Sequence, residues 1–115
     1  MNFSLLQTLC SIHAPSGSEQ NISKFLLSYI KKESIKWKVV PKVLADKEFQ
    51  DTIVLVFGKP KTAMFAHIDS IGYTVAYANN LIKIGGPASK SGYNLVGEDK
   101  HGAIECKLHM DKDRN

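Results

Sequence analysis

The stretch TAMFAHIDSIGYTV, residues 62–75, sets an imidazole and a carboxylate, His67 and Asp69, between two apolar runs. Side chains two apart in an extended chain point to the same side, so His67 and Asp69 project together. A neutral imidazole is the commonest transition-metal ligand, and a carboxylate beside it can coordinate or fix its tautomer. In open α/β sheets such groups gather at the carboxyl ends of strands, which is where this pair falls. The spacing alone leaves two readings open: a corner of a metal site, or a histidine satisfied by its own neighbour.

Working outward from this stretch, TAMFAHI (62–68) and DTIVLVF (51–57) are continuous apolar runs joined through the turn GKPK. Runs of that kind suit strands covered on both faces. Before them, IKWKVVPKV (35–43) alternates apolar and charged residues and predicts a half-buried strand. Pro41 places that strand at a sheet edge, because proline donates no ladder hydrogen bond.

Earlier still, Ile22, Phe25, Leu26, Tyr29 and Ile30 recur at helical spacing and predict an amphipathic helix. Ser16 and Glu19 have the spacing of a capping box at its start. Residues 2–14, with Leu5, Leu6, Leu9 and Ile12 on one side, predict a shorter helix that Pro15 ends. Residues 1–70 thus read as helix, helix, edge strand and two central strands, a layered α/β arrangement.

After Asp69 the texture changes. IGYTVAYA, the turn NN, LIKI, YNLVG, the turn EDKHG and AIECKLH are short strands punctuated by turn residues. They predict a β-rich unit over 71–115, grown directly from a strand end, with a polar tail MDKDRN that frays.

Composition excludes several classes. An apolar fraction of 43% and a charged fraction of 23% over 115 residues are those of one ordinary globular domain. The longest apolar run is too short to cross a bilayer, so no membrane is expected. The first residues lack a basic segment, and polar residues interrupt the apolar part, so a cytoplasmic protein is expected. Cys10 and Cys106 read as separate reduced thiols. Fifteen Lys and Arg against eleven Asp and Glu give a net charge of +4. The basic residues are scattered and only one is Arg, so no nucleic-acid partner is expected.

Other motifs carry less. IKIGGPASKSG lacks the glycines a phosphate loop needs before its lysine, and Gly85, Gly86 and Pro87 read as a turn. His109 and Asp111 repeat the His-x-Asp spacing, and two such pairs could close a four-ligand zinc site. His13 and His101 read as structural or solvated.

Taken in order, these residues resemble a known family. LLQTLCSIHAPSGSEQNISKFLLSYI (5–30) is similar to the opening of the cocatalytic zinc aminopeptidases of the glutamyl (deblocking) and tetrahedral aminopeptidase family. AHIDSIG (66–72) resembles that family's "AH.D.IG", and GAIECKLHMDKDRN (102–115) its late Gly-x-Ile…His stretch.

The resemblance implies the start of a zinc-peptidase-like α/β/α sandwich over 1–70 and a small inserted β-rich domain over 71–115. It implies His67 as the ligand of one of two zinc ions. Asp69 would then be the carboxylate of the catalytic set that orients it. It further implies hydrolysis of N-terminal residues from peptide substrates by metal-activated water, in a cytoplasmic homo-oligomer. Where the family has a Gly-Asn pair before its first central strand, this chain has Gln50-Asp51. The family's remaining ligands and general base lie beyond the insertion, outside these residues. The chain therefore reads as the N-terminal portion of such an enzyme, inactive alone. The alternative is a non-catalytic assembly or peptide-binding module using the edge strand and the small β domain.

Overall fold

The computed structural model describes residues 3–111. Position 2 and positions 112–115, which carry the predicted first residue of the opening helix and most of the polar tail, lie outside the described residues. Helix α1 runs Phe3–Ser11 and α2 runs Gln20–Glu33, followed directly by a 3₁₀ turn at Ser34–Lys36. The strands are β1 (Lys42–Leu44), β2 (Val54–Val56), β3 (Gly72–Val75), β4 (Leu81–Ile84), β5 (Asn94–Asp99) and β6 (Gly102–Lys107). They pair antiparallel in chain order as three separate two-stranded sheets, β1 with β2, β3 with β4 and β5 with β6. The chain is a mixed α and β structure.

Helix α2 follows from its periodicity. Ile22 and Ile30 are buried, and Phe25, Leu26 and Tyr29 between them are half-buried. The rings of Phe25 and Tyr29, one turn apart, stack with centroids 6.1 Å apart. Lys31 and Lys32 occupy the last turn, where cations offset the helix dipole. Beyond it Lys36 donates to Glu33 at 2.9 Å, and that hydrogen bond holds the Glu33 carboxyl below its ordinary range. The capping box does not form. Glu19 is the cap residue, and its carboxylate turns back to accept from the Gly17 backbone N–H at 2.8 Å.

Two predicted strands are absent or cut short. Most of 35–43 is a 3₁₀ turn followed by irregular chain, and pairing begins only at Lys42, past Pro41. Trp37 instead turns its ring toward Phe57, with centroids 6.2 Å apart. Residues 62–68 carry no strand, and Met64 and Phe65 are 95% and 94% exposed. An apolar run becomes a strand only when another chain segment takes up its backbone groups, and no described segment does so here. The predicted turns after 70 are present. The first lies one residue earlier than NN, centred on Ala78 and Asn79, which both have positive φ.

The buried apolar side chains are few: Ala14, Ile22, Ile30 and Leu108, beside Pro15, Pro41 and Pro87. The accessible surface is 9958 Å², against roughly 6,200 Å² for a compact monomer of this mass. The radius of gyration is 17.7 Å, where a compact chain of this length has about 13 Å. Large apolar side chains such as Ile35, Phe57, Ile71 and Tyr77 stay exposed. This fold leaves much apolar surface in water.

Candidate metal corner at His67

Three pieces of chain meet at the site. The first is the Ala14–Pro15 segment that follows α1. Ala14 is fully buried, its carbonyl accepts from the Ser70 N–H at 2.8 Å, and Pro15 and Ser70 form a parallel bridge. Pro15 also closes a turn, its carbonyl accepting from the Ser18 N–H at 2.8 Å. The PSG turn thus fixes the chain immediately after Asp69. Gly72 completes this close approach, since a Cβ there would stand 3.3 Å from the Pro15 Cβ.

The second piece carries His67 and Asp69. His67 Nδ1 lies 3.1 Å from the Asp69 carbonyl oxygen and 3.3 Å from Asp69 Oδ1. Both partners only accept, so in the neutral ring Nδ1 carries the proton and donates. Nε2 is left with its lone pair free. The His67 side chain is 87% exposed and Asp69 37%. This is the geometry by which a carboxylate-bearing neighbour orients a ligating imidazole. It is also a histidine satisfied by its neighbour at one nitrogen, so the two readings of the spacing describe the two ends of one ring.

The third piece is a turn that sequence reasoning missed. Asp46 caps a 3₁₀ turn at Lys47–Phe49, accepting from the Glu48 N–H at 3.1 Å. Gln50 follows with φ 52° and ψ −123°. The Thr52 N–H then donates to the Phe49 carbonyl at 2.9 Å. That backbone and that hydrogen bond define a type II′ turn with Gln50 at its first central position, a place that favours glycine. The buried Ser23 of α2 pins the turn by donating from Oγ to the Asp51 carbonyl at 3.2 Å. The missing signal was the glycine itself. Here the backbone takes a glycine conformation with glutamine in it.

A cleft of about 330 Å³ lies between the second and third pieces and Glu19 at the start of α2; it is lined by Glu19, Gln50, Asp51, Thr52, His67 and Asp69, with Ile53, Ala66 and Ile68. Three carboxylates and no Lys or Arg line it, although the chain as a whole is basic. Among the described residues, no three His, Cys, Asp or Glu side chains are grouped to hold a metal ion. His67 therefore fits one ligand position, and the described residues do not complete a metal site. His109 and Asp111 lie outside the lining, with His109 Nε2 3.7 Å from Asp111 Oδ1.

Cys10 and Cys106 are both free. Among the described residues no helix is long and apolar enough to cross a membrane. Comparison with protein-family models and with curated proteins finds no match for this chain.

Proposed function

We propose that this chain supplies the first metal-binding corner of a metal-dependent aminopeptidase that removes N-terminal residues from peptides. His67 is a zinc ligand through Nε2, and Asp69 holds the ring. The remaining ligands of a two-zinc centre and the general base come from outside the described residues, so the chain does not hydrolyse peptides by itself. Residues to about 70 belong to a zinc-peptidase-type α/β/α sandwich, and the hairpins after it to an inserted β-rich domain of an oligomeric enzyme.

The observation that carries the reading is the His67 ring, held through Nδ1 beside Asp69 at a cleft lined by carboxylates. Bound zinc would supply the polarisation that makes water a nucleophile near neutral pH. This chain's own residues contribute orientation of the ligand and an anionic wall that favours a cationic amino terminus.

The bare segment around Met64 and Phe65 favours a second reading, in which the chain is an assembly or peptide-binding module that gains a strand from a partner. Zinc content separates the two. In the full-length protein, His67→Ala is expected to lower bound zinc by about one equivalent per chain while the far-ultraviolet circular dichroism stays unchanged. Unchanged zinc stoichiometry removes His67 from any metal site and leaves the module.

A further inference from the structure

We propose that Gln50 is a substrate-positioning residue, its carboxamide hydrogen-bonding the main chain of a peptide that lies in the His67 cleft. The proposal rests on the aminopeptidase reading above.

The turn at 49–52 requires a backbone conformation that glycine adopts freely and glutamine adopts only under strain. Nothing in the turn needs a side chain at that position. The turn closes through the Phe49 carbonyl and the Thr52 N–H, and is tethered through the Asp51 carbonyl to Ser23. All of these groups would remain with glycine in place. Nor does the carboxamide repay the strain within the fold, since no hydrogen bond joins it to any described residue.

Gln50 does, however, border two adjoining clefts. One is the His67 cleft, and the other is bounded by Ser23, Lys24 and Leu27 of α2. A free carboxamide offers two N–H donors and a carbonyl acceptor, the complement of a peptide unit's own C=O and N–H. The Glu19, Asp51 and Asp69 carboxylates beside it disfavour an anionic ligand such as a phosphate. A neutral main chain meets no such opposition. Strained non-glycine residues cluster at ligand-binding sites, and this one borders two clefts with its carboxamide unbonded.

The test takes triglycine as probe, because it offers main chain and no side chains. Its affinity is read in the metal-free full-length protein, where no turnover consumes the probe, and zinc binding is read separately. Two variants separate strain from contact. Gln50→Gly relaxes the turn and deletes the carboxamide, whereas Gln50→Met keeps the length and the strain and deletes only the hydrogen bonding.

The expected result is triglycine affinity lowered about fivefold in both variants, the worth of one hydrogen bond. Tm should rise by about 4 °C in Gln50→Gly alone. Unchanged affinity in both variants overturns the proposal, and so does a Gln50→Gly protein no more stable than the parent. If the parent binds zinc through His67 but no triglycine, this proposal falls and the metal corner stands. If triglycine binds in a Gln50-dependent way and no zinc binds, the carboxamide contact stands and the aminopeptidase reading falls.

Discussion

The chain carries His-x-Asp twice, and the two copies end in different surroundings. At His67 the ring is held through Nδ1, 3.1 Å from a carbonyl and 3.3 Å from a carboxylate, and its outer nitrogen is free. At His109 the outer nitrogen, Nε2, is the one that faces Asp111, at 3.7 Å, and Asp111 is 71% exposed. Both pairs hang from a fixed point. The first immediately precedes Ser70, which is bridged to Ala14 and Pro15; the second follows Leu108, which is buried and exchanges backbone hydrogen bonds with Gly92 and Tyr93. Anchoring is therefore not the difference. The difference is what stands opposite: a cleft lined by Glu19, Gln50 and Asp51 faces His67 and does not include His109. Identical spacing becomes a candidate site only where other elements converge on it.

The comparison breaks most sharply if the two anchors are removed separately. Leu108→Ala deletes one of the few buried side chains, and truncation at such a site costs about 2–3 kcal/mol. Chemical denaturation should record that loss, while the zinc binding proposed at His67 in the full-length protein should stay intact. Loss of zinc together with stability would mean that the two halves do not hold their sites independently.

Ala14→Leu is the converse. Ala14 is fully buried at the bridge, and overpacking there should cost about 1–2 kcal/mol. It should also weaken zinc binding by displacing the chain after Asp69. A variant that is destabilised yet binds zinc normally would show that the Ala14–Ser70 bridge does not position His67.

How far the sequence could be read depends on whether an element's partner is local. Helix α2 was legible because its hydrogen bonds lie within it and its apolar face repeats every turn, as Ile22 and Ile30 show. The turns EDKHG and NN were legible because turn chemistry is local too. The alternation of 35–43 and the apolar run of 62–68 are real, but a strand also needs a neighbour; the first finds one only from Lys42 on, and the second finds none among the described residues. Hydrophobic pattern reports what a segment could bury, not whether a partner arrives.

The capping box failed for a related reason. Glu19 had a closer donor in the Gly17 N–H, and local geometry won over motif. At the site, His67 and Asp69 were visible as residue types in a telling position. Gln50 was not, because a II′ turn is normally announced by glycine and this one is made without it.

A second turn made without glycine supplies the smallest and cleanest test. Ala78 and Asn79 join β3 to β4 with φ 55° and 60°. The turn closes through the Asn80 N–H to the Tyr77 carbonyl at 3.2 Å. Both central residues of such a hairpin turn need positive φ; Asn79 tolerates it and Ala78 does not. Ala78 carries no group that could touch a ligand, so its strain has no counterpart to the Gln50 carboxamide. Ala78→Gly should therefore raise stability by about 0.5–1 kcal/mol and leave triglycine and zinc affinities unchanged. Measured beside Gln50→Gly, it isolates the cost of a left-handed residue from whatever the cleft gains. If both substitutions stabilise and only the one at Gln50 weakens peptide binding, the strain at the cleft serves the ligand. If neither affects binding, Gln50 is no more functional than Ala78.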